Sequence, residues 1–244
     1  MGKAIPTVEG WHSQHMVFAM DFSAWNCFTE DEKAAARNEL KAFLADLEAT
    51  HQAKEGSYAF YDCNGAKGDL ILWILGPSLE YLAQVERKFR RLAIASVLVQ
   101  TYSYTSVTEV SAYVKAKLDT EEVNKKLYPH VPRDKYICFY NMTKKRDGAD
   151  NWFMLPQQER GALMRSHGEL GKTYLDVLSE YTTGGVGLDD WEWGITLMSD
   201  DPIQFKKIVN EMRFDEVSAR FGIFGPFTIG TRLTLEGVDH LFMV

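Results

Sequence analysis

The chain has 244 residues, 45% hydrophobic and 25% charged, with a formal net charge of −7, a composition ordinary for a globular protein. The acidic balance argues against a generic nucleic-acid binder, which needs a basic surface, and no run of about 18 apolar residues offers a transmembrane helix. The start, MGKAIPTVEGWHSQH, lacks a signal peptide's apolar centre and has Pro6 where myristoylation needs Ser or Thr; Cys27, Cys63 and Cys138 read as reduced thiols rather than a disulfide frame or zinc site, so the expected location is the cytoplasm.

In chain order, His15 to Phe22 (HMVFAMDF) is strand-like, and Thr29-x-x-Glu32 is a capping box opening a helix to about Thr50. Gly56 to Asp62 and Asp69 to Leu75 read as strands around the Asn64-Gly65 turn. Pro77 opens a helix through about Arg91, and Val97 to Ser106 is a further strand. The second half repeats this order. Lys135 to Met142 (KYICFYNM) is a strand, and Pro156 starts a helix predicted to reach about Glu180. A Gly-rich stretch, Thr183 to Gly187, precedes a strand over Asp190 to Met198. Asp201-Pro202 opens a helix to about Arg213, and Ile223 to Leu233 closes the unit.

Each half is thus β-α-β-β-α-β, the ferredoxin-like order. The prediction is an α+β fold of two ferredoxin-like lobes with their sheets packed together. The first lobe spans 1–106 and the second 135–244. The linker over 107–134 carries Lys115, Lys117, Lys125, Lys126, Pro129 and Pro132.

Three places carry candidate chemistry. In PQQERGALMRSHGELGKTYLDVLSE, Leu163, His167, Leu170, Tyr174 and Leu178 recur at helical spacing on one face. His167 lies in that apolar stripe, flanked by Gly168 and Gly171. Glycine inside a helix costs about 1 kcal/mol against alanine, so the pair points to a large flat group near the backbone or to close helix packing. His12, His15, His51, His130 and His240 form no metal-ligand spacing. In KYICFYNM the period of two puts Tyr136, Cys138, Tyr140 and Met142 on one face, ahead of Lys144-Lys145-Arg146. Such a phenol could donate to a carboxylate or be oxidised, or be an ordinary half-buried tyrosine. Arg213 and Ser218 sit near a helix end, where the guanidinium fork suits a carboxylate ligand or pairs with Asp215 or Glu216.

The strings CFYNMTKKRDGADNWFMLPQQER, MRSHGELGKTY, VGLDDWEWG and FKKIVNEMRFDEVSARFG together resemble the coproheme decarboxylases of Gram-positive bacteria, a branch of the chlorite dismutase-like family. The resemblance is strong over about residues 100–235 and continues more weakly toward the N-terminus. It implies a dimeric α+β barrel built from the two lobes, with the second binding haem, assembled as a homopentamer. It implies an iron porphyrin, coproheme III, as both substrate and redox centre, hydrogen peroxide as oxidant, haem b as product, and transient contact with ferrochelatase. On this resemblance His167 is the axial iron ligand and Tyr140 the redox-active tyrosine. Lys144 stands beside the second reactive propionate, Met142 near the porphyrin edge, and Arg213 and Ser218 at propionates. Three residues depart from the pattern: Lys126 replaces an arginine, Asn141 a proline, and Glu180 a glutamine. Chlorite dismutases carry arginine at that last place, and a carboxylate there disfavours chlorite by charge repulsion. Chlorite dismutation and haem carriage without turnover are the alternative functions.

Overall fold

Eight antiparallel strands close into one barrel in the order β1-β3-β2-β8-β5-β7-β6-β4. The computed structural model describes residues 4–111 and 119–243. The strands are β1 Thr7–Met20, β2 Ser57–Asn64, β3 Leu70–Gly76, β4 Leu98–Ser111, β5 Tyr136–Lys144, β6 Ser179–Gly184, β7 Trp193–Ser199 and β8 Gly222–Arg232. The described helices are α1 Phe22–Trp25, α2 Glu30–Gln52, α3 Leu79–Phe89, α4 Thr120–Leu127, α5 Gln157–Lys172, α6 Ile203–Met212 and α7 Glu216–Phe221.

The ring divides into the halves 4-1-3-2 and 8-5-7-6, the same ferredoxin-like order twice. The lobes are therefore not separate stacked sheets. They join edge to edge, β2 to β8 from Tyr61↔Arg232 to Asn64↔Ile229 and β4 to β6 at Val107↔Gly184 and Thr108↔Thr183. Closure removes open sheet edges.

Local chemistry explains the elements. Thr29 and Glu32 form the full capping box of α2. Ser78, rather than Pro77, caps α3. Gly65 has φ +101°, which the β2–β3 turn needs and which side-chain-bearing residues avoid. Strand alternation then sorts side chains. Trp73, Tyr61, Tyr104, Ile137, Phe139 and Met198 fill the barrel interior. His15 is buried there between Trp73 and Phe139, at centroid distances of 4.8 and 3.9 Å, with Nε2 2.9 Å from Thr196 Oγ1. Burial holds its pKa well below the ordinary value, so it is a neutral core histidine.

Outside the barrel the lobes differ. In the first, α2 and α3 sit on the sheet, and Leu40, Phe43, Leu44, Leu82 and Phe89 pack against Phe18, Phe60, Leu72 and Ile74. In the second, α6 packs on β7 through Phe205 and Ile208, but α5 rests chiefly on α6 and α7. Only Arg160 of α5 is fully buried, and Leu163, His167 and Leu170 stay half-exposed.

Several boundaries differ from expectation. α5 stops at Lys172, so Tyr174 and Leu178 lie in the following turns and Glu180 lies on β6, not on the helix. β4 continues to Ser111, into the segment read as linker. Lys115 and Lys117 lie outside the described residues, whereas Lys125 and Lys126 end α4. The last segment crosses back: Val238 and Leu241 join the first lobe's core, Trp25 Nε1 donates to the Phe242 carbonyl, and Lys41 pairs with Asp239. Among the described residues no helix is long and apolar enough to cross a membrane.

Candidate functional site

The outer face of β6, β7, β5 and β8 forms a wall whose map follows from register. One row runs Glu180–Leu197–Cys138–Ile229, the next Thr182–Ile195–Tyr140–Phe227, the third Gly184–Trp193–Met142–Phe224. Opposing residues share a face because strand side chains alternate. Gly225 and Pro226 stand opposite the single residue Asn141, a bulge that lets Phe224 and Phe227 both face outward. Asn141 itself turns into the barrel, fully buried, and accepts from the Tyr102 hydroxyl at 2.6 Å.

Tyr140 is at the centre of this wall. Its ring stacks on Phe227 at 4.3 Å and is 9% exposed. Burial, and after it the charge of Glu180, push its pKa well up, against an opposing effect of Arg213. The phenol is therefore protonated at any ordinary pH, and no hydrogen bond among the described residues holds its hydroxyl.

α5 faces this wall and carries His167. Its Nδ1 lies 2.8 Å from Asp215 Oδ2. A carboxylate only accepts, so Nδ1 carries the proton, and in the neutral ring Nε2 has the free lone pair of a metal-ligating imidazole. One turn on, a Cβ at Gly171 would meet only Met212 Cε at 3.5 Å and Glu180 Oε2 at 4.0 Å; one at Gly168 would meet nothing. Gly171 thus faces Met212 and Glu180 of the wall, and Gly168 faces open space.

Glu180 on the wall lies close to the helix, its Oε2 4.0 Å from where a Cβ on Gly171 would be. Its side chain is exposed, yet protein surrounds it closely enough that desolvation raises its pKa, opposed by the charges of His167 and Lys126. The same electrostatic neighbourhood takes in Tyr140, Lys126 at the end of α4, and Arg213, whose guanidinium lies 4.9 Å from the Phe224 ring.

Lys144 continues the outer face of β5 beyond Met142. It is 6% exposed, its ammonium 5.3 Å from the Trp152 ring, and burial brings its pKa down to about 8, opposed by the charges of Asp215 and Glu192. Glu192 accepts from the Lys144 amide at 3.0 Å and from Arg146. Ser218 is buried on α7 and its amide donates to Asp215 Oδ2 at 3.4 Å.

All eight residues singled out in the sequence therefore border one region: His167, Ser218 and Lys144 around Asp215, and Tyr140, Met142, Glu180, Lys126 and Arg213 around the wall. Asp215 does not pair with Arg213; it takes His167, while Glu216 takes Arg220. Asp215, Glu192 and Trp193 were missed. Asp215 had a signal, its place before the short helix EVSARF as an N-cap. The pairing of Glu192 with Arg146 is long-range and had none.

The residues fit an iron porphyrin: one free imidazole nitrogen, an apolar wall opposite, and cations at the margins for acidic side arms. Among the described residues no cluster of His, Cys, Asp and Glu offers another metal site. Two open clefts, one lined by Asp134, Asp176, Asp200 and Asp201 and one by Ser166, Leu170, Asn210 and Phe214, include neither Tyr140 nor Lys144.

Comparison with solved structures agrees with this fold. A protein from Thermus thermophilus, described as a novel heme-binding protein, is 43% identical and superposes with a TM-score of 0.95 over 100% of this chain and 99% of its own. A mutant chlorite dismutase from Candidatus Nitrospira defluvii is 19% identical, with a TM-score of 0.78 over 96% of this chain and 95% of its own. A crystallised putative chlorite dismutase is 15% identical with the same TM-score, over 97% and 100%. At those identities the latter two speak to the fold alone. The sequence model named chlorite dismutase matches residues 33–233, most of both lobes. By that match, and by its 43% identity along its whole length to the Thermus protein, the chain belongs to the chlorite dismutase family.

Proposed function

We propose that the chain binds coproheme III through His167 and, with hydrogen peroxide, oxidatively decarboxylates two propionates to vinyl groups, yielding haem b. The observation that supports this reading is the pairing of His167 Nδ1 with Asp215, which leaves Nε2 available to a metal, in one electrostatic neighbourhood, through Glu180, with a buried phenol that no described residue hydrogen-bonds. The likeness to a protein described as heme-binding supports the ligand class.

When bound, the iron porphyrin supplies the redox centre at which peroxide is consumed. The balance per side arm is simple: a propionate gives up a β-proton, carbon dioxide and two electrons, and one hydrogen peroxide takes two electrons, that proton and one from solvent to become two waters. The residues divide the remaining tasks. Asp215 holds the proton on His167 Nδ1, which leaves Nε2 as the nitrogen that would bind iron. Tyr140, kept protonated by burial, carries a phenolic hydrogen atom; once oxidised, the phenol would be the group to take a hydrogen atom from a propionate β-carbon. Arg213 and Lys126 hold carboxylates at the margins as fixed charges. Lys144, whose pKa is brought down to about 8, offers a buried ammonium to a side arm's carboxylate and can lose its proton near neutrality. Phe227 and Ile195 beside the phenol exclude water from it.

The alternatives separate on one experiment, mass spectrometry of bound coproheme before and after peroxide. Loss of two carbon dioxide molecules supports decarboxylation; an unchanged mass identifies a carrier. The chlorite reaction is disfavoured by Glu180, whose charge opposes a small anion, and oxygen release from chlorite at high turnover would reverse that choice. The proposal includes a homopentamer, which light scattering tests directly.

A further inference from the structure

One group on the wall has no part in the chemistry above. β4 and β6 pair at Val107↔Gly184 and Thr108↔Thr183, and just past this pairing the Glu109 carboxyl turns back over Gly184. A Cβ at Gly184 would fall 2.6 Å from Glu109 Oε2 and 3.0 Å from Oε1. Trp193, the residue opposite Gly184 on β7, donates its indole N–H to Glu109 Oε1 at 3.3 Å.

Each half of this contact is unfavourable taken separately. Glycine within a strand forgoes side-chain packing and costs backbone entropy. A half-buried carboxyl without a cation is expensive, and among the described residues no ion pair neutralises Glu109. Burial raises its pKa, the Trp193 bond lowers it, and Glu9, directly across β1–β4, raises it again. Together the two choices do one thing: they leave room for a carboxyl that captures an indole. Trp193 pairs across the sheet with Met142, which stands between Tyr140 and Lys144 on the outer face of β5, while its indole N–H reaches the other way, toward Glu109 over Gly184.

We propose that Glu109 is a positioning residue: its carboxyl, seated over Gly184, holds the Trp193 indole at the β6–β4 end of the wall row that Met142 and Phe224 continue, and so sets the shape of that edge of the porphyrin-facing wall. This rests on the porphyrin reading for its consequence, but not for its geometry.

The test compares Glu109→Ala, Glu109→Gln and Gly184→Ala. The Trp193 contribution to near-UV circular dichroism is taken by difference from Trp193→Phe, haemin affinity from the Soret band, and stability from thermal unfolding. Glu109→Ala removes the acceptor and Gly184→Ala displaces it. Both should lose the Trp193 signal and weaken haemin binding about tenfold, the scale of one hydrogen bond to a buried partner. Glu109→Gln keeps an accepting oxygen and should stay close to wild type in both readouts. An unchanged indole signal in Glu109→Ala, a Glu109→Gln protein as impaired as Glu109→Ala, or affinity losses that merely track losses of stability would each overturn the proposal. If wild type takes up no haemin, the porphyrin reading fails, while the indole signal still decides whether Glu109 holds Trp193.

Discussion

Replacing Asp215 should separate folding from ligand geometry. One carboxylate oxygen, Oδ2, receives both the His167 Nδ1 proton at 2.8 Å and the Ser218 amide at 3.4 Å, and the residue caps α7. A charge-assisted hydrogen bond contributes about 1.5–3 kcal/mol, and an N-cap about 1 kcal/mol. Because the same oxygen serves both, the effects overlap, and Asp215→Ala should cost roughly 2–3 kcal/mol of folding stability. Asparagine caps as well as aspartate and its carbonyl can still accept from Nδ1, so Asp215→Asn should lose only about 1 kcal/mol, the charge-assisted share. Urea denaturation reads these losses. The effect on the ligand is larger. With Asp215 gone, the imidazole is free to rotate and to place its proton on Nε2, and partners of ligating histidines typically contribute about 10–100-fold to metal affinity. Haemin titration by Soret absorbance should therefore show Asp215→Ala weakened by roughly that factor, with Asp215→Asn between it and wild type. If Asp215→Ala bound haemin as tightly as wild type while losing the stability of a cap, Asp215 would be a helix cap only, and His167 would not owe its orientation to it.

Tyr140→Phe should retain haemin affinity within a few-fold and lose decarboxylation, read as an unchanged coproheme mass after peroxide; product formation at the wild-type rate would remove Tyr140 from the chemistry. Lys144 carries a pH signature. Its folded pKa of about 8 lies below the ordinary 10.5, so between those values the native state binds fewer protons than the unfolded one, and the penalty of a buried charge, full below about pH 8, is relieved as pH rises toward 10.5. The gap corresponds to roughly 3 kcal/mol. The unfolding free energy of wild type minus that of Lys144→Met should rise by about this amount from neutral pH to 10.5, and a flat difference would contradict the burial account. Lys144→Ala should stall coproheme conversion after one decarboxylation, visible as a single carbon dioxide lost. Gly168→Ala and Gly171→Ala should each stabilise the ligand-free protein by up to about 1 kcal/mol through helix propensity. Only the Gly171 change should weaken haemin binding, because only Gly171 faces Glu180 of the wall. Equal effects of both on binding would refute that placement.

Much was legible in the chain. The capping box at Thr29, the Asn64-Gly65 turn and the period of two in KYICFYNM are local signals, and the structure follows them within a few residues. The doubled β-α-β-β-α-β order was also readable, because each lobe repeats the same local pattern. The Glu180 region departs from its expected helix for a physical reason. TYLDVLSE has helical spacing, but after Lys172 the chain makes tight turns, with Tyr174 and Leu178 tucked under it, and β6 gains more by pairing with β7 and β4 than by extending the helix. Tertiary pairing overrode local propensity.

What the sequence determined by itself was the local content: which segments turn, cap and alternate, and hence two similar lobes and one face of β5 shared by Tyr136, Cys138, Tyr140 and Met142. Only the tertiary structure decided that the lobes join edge to edge in a closed ring, that α5 stands off its sheet while α2 and α3 lie down on theirs, and that Asp215 orients His167. Those outcomes depend on contacts between residues far apart in the chain. Periodicity records which face of an element is apolar; it carries no information on how far away the element facing it will settle.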